Sequence, residues 1–262
     1  MERFALWIAK HRRLCQIVAL LFWVTIQFIF LVNDIPSWLV TLVVVFALTI
    51  TFGVINTAPA ASLKNEIKLH TEQCDPYPMI NAIPTLLQYR QTELMCLCLN
   101  LDYCNAMNNA GHFQEAWRIL TQINIDKSVG TPLNLKVIYY LSLYESCVNL
   151  GMYQQADIWF DKAISIYNDM KENKAKKAVR EIVIQSHADM ALRHNDPDTA
   201  LSVLSTSQDA TLLALVLNKL LIAKCLVQKG DISQARTSLL FVIQNGNKLH
   251  AVRIANDILM KL

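Results

Sequence analysis

A four-part pattern recurs along the chain beyond residue 110, and it constrains the fold more than any other feature. Gly111, Phe113, Ala116 and Leu120 in "GHFQEAWRIL" are matched by Gly151, Tyr153, Ala156 and Phe160 in "GMYQQADIWF". A third copy, "NDPDTALSVL", supplies Asn195, Pro197, Ala200 and Leu204, and a fourth, "GDISQARTSL", supplies Gly230, Ile232, Ala235 and Leu239. Successive copies start 40, 44 and 35 residues apart, so the spacing implies connections of variable length. Each copy follows an apolar stretch of helical period (93–107, 133–150, 179–193 and 212–227) and leads into a second amphipathic run. Gly or Asn at the head of the pattern suits a backbone with positive φ, which ends a helix. Alanine five residues on lets two helices approach to about 8 Å, and the aromatic or aliphatic residue at the turn is expected to close the seam between them. The unit is helix, tight turn, helix. A lone pair of this kind cannot bury its apolar face, so a series implies an α-solenoid. Residues 247–262, apolar at 249, 252, 254, 255, 258, 259 and 262, read as a capping helix. Asp75 and Pro76 read as the start of a leading helix that contains Pro84.

The first 60 residues differ. Residues 14–32 and 36–55 carry no charge, and each run matches the length of about 20 residues that a helix needs to cross a bilayer. Only "NDIP" (33–36) separates them, which predicts a two-helix transmembrane hairpin with spans at about 14–32 and 36–56. Arg3, Lys10, Arg12 and Arg13 precede the first span, Lys64 and Lys68 follow the second, and the loop has Asp34 with no basic residue. By the positive-inside rule both termini and everything after the hairpin are expected in the cytoplasm, the hairpin lying in a plasma (inner) membrane with the lipid bilayer as a partner. The expected organisation is a membrane anchor at 1–60, a linker and leading helix at 61–94, and a helical repeat domain at 95–262. The fold class is all-α.

The repeats resemble the tetratricopeptide family, whose unit is an antiparallel helix pair of 34 residues. The resemblance covers roughly residues 95–245, and it is weakest at 181–214, where Pro197 replaces the aromatic. The family's Trp and Gly in the first helix are missing, with Cys104 and Tyr144 standing where the Gly would be. It implies a concave groove lined from the first helix of each pair. Carried onto this chain, the polar groove residues are Asn105, Asn108, Glu145, Asn149, Gln185, Asp189, Arg193, Lys224 and Gln228, with Cys98, Leu101, Ile138, Leu141, Val148, Ile182, Leu217 and Leu220 among the others. Asn105, Glu145, Asp189 and Lys224 share one repeat position, and Glu145 and Asp189 are expected to be exposed. Such a surface suits an extended peptide or a helix.

No catalytic, cofactor or metal motif stands beside this. Cys96 and Cys98 fall about 200° apart on a helix and cannot share an ion without breaking it. The seven cysteines form no regular framework and read as reduced, buried thiols. Outside the first 60 residues basic and acidic residues nearly cancel, which removes the electrostatic case for nucleic acid. The functional expectation is a membrane-tethered scaffold that binds a protein or peptide in its groove. The alternative is a structural subunit of a membrane complex that assembles through the hairpin. An enzyme is the remote third.

Overall fold

The computed structural model describes residues 2–32, 37–89, 92–126, 130–208 and 211–262, and the expected turn at 33–36 lies outside them. The described residues form fourteen helices and no strand. Contacts divide the chain into two units, one comprising residues 1–65 and 82–96, the other 66–81 and 97–262.

The first unit holds α1 (Glu2–Lys10), α2 (Arg12–Val32) and α3 (Ser37–Ser62), with α1 and α2 both packed on α3. Its small core joins Ile8, Ile55 and Ala58 to the half-buried Cys15 and Ala19. The transmembrane hairpin does not stand. Both charge-free runs are helical, but among the described residues no helix is long and apolar enough to cross a membrane. The first helix opens on Arg12 and Arg13 and carries Gln16, Thr25 and Gln27. The second carries Thr41, Thr49, Thr51 and Thr57. Thr25, Thr49, Thr51 and Thr57 each turn a hydroxyl onto the carbonyl four residues back. The 1–60 anchor and the inner-membrane, cytoplasm-facing placement fall with the hairpin, and the lipid contact that rested on it loses its basis.

Two short helices follow, α4 (Lys64–Gln73) and α5 (Tyr77–Leu87), the latter containing Pro84. Four helix pairs run in series and, apart from residues 93–96, belong to the second unit. They are α6 (Glu93–Ala110) with α7 (Phe113–Gln122), and α8 (Leu133–Asn149) with α9 (Tyr153–Asp169). The next two are α10 (Lys174–Arg193) with α11 (Pro197–Leu204), and α12 (Leu212–Lys229) with α13 (Ile232–Asn245). All four turns are built alike. Gly111, Gly151, Asn195 and Gly230 have φ of 87°, 74°, 58° and 79°. In the first turn His112 N donates to Met107 O at 2.8 Å and Gly111 N to Asn108 O at 3.0 Å. The same two bonds recur as Met152 to Cys147 with Gly151 to Val148, Asp196 to Ala191 with Asn195 to Leu192, and Asp231 to Leu226 with Gly230 to Val227. This is the Schellman motif, which satisfies carbonyls left over at a helix C-terminus.

The alanine of the pattern sits at each crossing: Ala116, Ala156, Ala200 and Ala235 are all 0% exposed. The residue four places on is buried too, as Leu120, Phe160, Leu204 and Leu239. The turn aromatic does not close its own seam. Tyr153 is 55% exposed with the Arg193 guanidinium 4.9 Å from its ring centre, and the Phe113 ring meets His250 at 5.0 Å. Successive hydrophobic clusters link the first two pairs to α10, then α10 and α11 to α12, then α12 and α13 to the last helix, α14 (His250–Leu259). Each pair thus buries its apolar face on the next.

The last helix packs on α13, as a cap should, but it also reaches the start of the series. Arg253 donates to Ala110 O at 3.2 Å. Just ahead of it, Asn247 donates to Gln73 O at 2.8 Å, and Lys248 pairs with Asp75 at 2.6 Å. The repeat unit therefore closes on itself. Its concave side becomes an interior.

Candidate functional site

On the concave side lies a half-open cavity of about 340 Å³. Seven of the nine polar groove residues expected from the sequence line it: Asn105, Asn108, Glu145, Asn149, Gln185, Asp189 and Lys224. Arg193 and Gln228 line an adjoining cavity of about 450 Å³, and Asp189 and Lys224 border both. Leu141, Val148, Ile182, Leu217 and Leu220 supply apolar wall to the first. The repeat geometry brings these residues together because equivalent positions on α6, α8, α10 and α12 stack side by side.

Much of their hydrogen-bonding capacity is spent within the wall. Asn108 is 1% exposed. Its amide nitrogen donates to Ser142 O at 3.2 Å and to Glu145 Oε2 at 3.3 Å, and its oxygen accepts from Ser146 at 2.9 Å. Asn109 donates to His70 Nε2 at 3.1 Å and to Asn105 Oδ1 at 3.5 Å. Gln185 donates to Asn218 Oδ1 at 3.0 Å, Asn149 to Glu145 O at 2.9 Å, and Gln228 to Leu192 O at 3.1 Å. Arg193 pairs with Asp157 at 3.0 Å. The bonds that run between pairs, from Asn108 to α8 and from Gln185 and Gln228 between α10 and α12, fix the register of one helix pair against the next.

The charged residues are arranged less evenly. Tyr144 donates to Asp189 Oδ2 at 2.8 Å, and Lys224 lies 3.9 Å from Asp189 Oδ1. Burial, reinforced by the Asp189 charge, holds the Tyr144 hydroxyl well above the ordinary tyrosine range, so it donates at every accessible pH. Glu145 departs most from expectation. Neither it nor Asp189 is exposed, so a double replacement by lysine would bury charge rather than merely reverse a surface field. The little surface Glu145 retains faces the cavity, while its carboxyl is packed round. Burial raises that carboxyl to about 7; the Asn108 bond pulls the other way, and the neighbouring Asp189 charge adds to the rise. Among the described residues no cationic side chain pairs with it.

The sequence reading missed the wall contributed by α14, namely His250, Ala251 and Ile254, and with it Phe113, Tyr144 and Glu181. The apolar periodicity of 249–262 signals a buried helix, but periodicity does not say against what. Cys98, Leu101 and Ile138, placed in the groove by the repeat count, line neither cavity.

Four like-built helix pairs, sealed alanines and a cap define an all-α helical-repeat domain with a half-open concave face lined by polar and apolar residues. No protein-family model matches the chain, and neither a curated protein nor a solved structure matches it.

Proposed function

We propose that the repeat unit is a tetratricopeptide-like scaffold that binds a short segment of a partner protein in its interior. The observation that carries this reading is the convergence of nine polar residues, drawn from the first helices of all four pairs, on two adjoining cavities. Four repeated turns and four sealed alanines support the family assignment. Closure by α14 favours a chain end or a few residues over a long extended peptide, since about 340 Å³ lies at the small end of the roughly 300–1,000 Å³ range of ligand pockets. A photo-cross-linking side chain at Leu217, on the cavity wall, tests it against the same group at Ile158, which is 55% exposed on α9. A discrete protein adduct from position 217 alone is expected. The same adduct from both positions, or none from 217, overturns the reading.

A further inference from the structure

The interior is lined by three carboxylates, Glu145, Glu181 and Asp189, against one lysine, Lys224, which already lies beside Asp189. Glu181 is engaged locally, since Ser207 Oγ donates to it at 2.5 Å and Gln208 N at 3.0 Å. Glu145 is not: among the described residues, one amide bond from Asn108 is all that meets a closely packed carboxylate with acceptor capacity left over. An enclosed carboxylate without a cation is costly, and an entering cation offsets that cost. The surrounding wall is aliphatic, from Leu141, Leu217, Leu220 and Ile254.

We propose that this cavity binds a cationic group on an apolar stem, an alkylammonium or a guanidinium, with Glu145 as its counter-ion and Asp189 as a second acceptor. Those four aliphatic residues hold the stem. The proposal rests on the partner-binding reading above and names the chemistry of what enters. An anion would meet three carboxylates and one lysine. A neutral apolar group would leave Glu145 without a counter-ion. The cation can be a lysine or arginine of a partner chain, or a free amine.

Calorimetric titration of the full chain with four probes tests the assignment: pentylamine, acetyl-Leu-Lys-Leu-amide, and the same peptide with norleucine or glutamate at its centre. The lysine peptide should bind saturably and at least tenfold more tightly than the norleucine peptide. Glu145→Gln, which keeps shape and the Asn108 bond, should reduce its affinity tenfold or more, with folding checked by thermal melting. Pentylamine binding as tightly as the lysine peptide would identify a free amine as sufficient, and binding of the peptide alone would identify a partner chain. Equal binding of the lysine and norleucine peptides, preference for the glutamate peptide, an unaltered Glu145→Gln variant, or no binding by any cation would overturn the cation assignment. A cross-link from position 217 in that case would leave the partner-binding reading standing, so the two failures are distinguishable.

Discussion

The N-terminal unit and the repeat unit are both helical and both rich in apolar residues, yet they dispose of those residues in opposite ways. In the repeat unit Leu120, Leu239 and the four pattern alanines are 0% exposed. In the N-terminal unit Phe28, Trp38 and Phe46 are 68%, 69% and 66% exposed, while Ile8, Ile55 and Ala58 make the small core. What a helix buries depends on whether its apolar residues fall on one stripe that a neighbour can cover. The second helices of the repeats put small and large apolar residues at fixed offsets from the turn, and each pair covers the next. The helices at 12–32 and 37–62 are apolar on most sides, and three helices packed together cover only part of such a surface.

The largest expected effect sharpens this contrast directly. Leu239→Ala should cost about 2–5 kcal/mol, while Phe46→Ala, a larger truncation at an exposed position, should stay within about 0.5 kcal/mol. Chemical denaturation of both variants measures it, and comparable losses would break the comparison. Next comes acid. Burial lowers His70 to about 4, with Asp75 opposing the shift, and Asn109 donates to its Nε2. The unfolded chain takes up that proton near pH 6.5, so the stabilisation is present above that pH and is lost as pH falls towards 4. The loss is on the order of 2–3 kcal/mol in the repeat unit, and His70→Gln should flatten this part of the pH profile.

Glu145 has the opposite sign. Its folded carboxyl titrates at about 7 against 4.5 ordinarily, so its penalty is absent below pH 4.5 and grows as pH rises through 7. Glu145→Gln should therefore melt above the parent at pH 8, by on the order of 1–3 kcal/mol, and level with it at pH 4. A variant equally stable at both pH values would show that the carboxyl is better solvated than its packing implies. The smallest pair reverses sign between the units. Gly151 has φ of 74°, so Gly151→Ala should cost about 1–2 kcal/mol. Gly53 lies inside α3 with no atom within 4 Å of an added Cβ, so Gly53→Ala should stabilise by about 0.5–1 kcal/mol. Thermal melts that moved the same way for both would contradict the assigned backbone conformations.

The local rules of the repeat were legible in the residues themselves. A left-handed turn selects Gly or Asn, and a close helix crossing selects Ala; both demands act within about a dozen residues and leave a spacing that can be counted. Counting also placed Asn105, Glu145, Asp189 and Lys224 on one surface, because equivalent positions of stacked pairs must line up. Three features needed the tertiary structure. Apolar content at 14–32 and 36–56 could not say which faces are covered, and among the described residues no helix is long and apolar enough to cross a membrane. The path of α14 depends on the summed rotation of four pairs, to which every packed side chain contributes, so no local pattern reports that it returns to Ala110 and closes the groove. The state of Glu145 follows from that closure: its repeat position is written in the sequence, but enclosure, neighbours and the cost of its charge exist only once distant helices surround it.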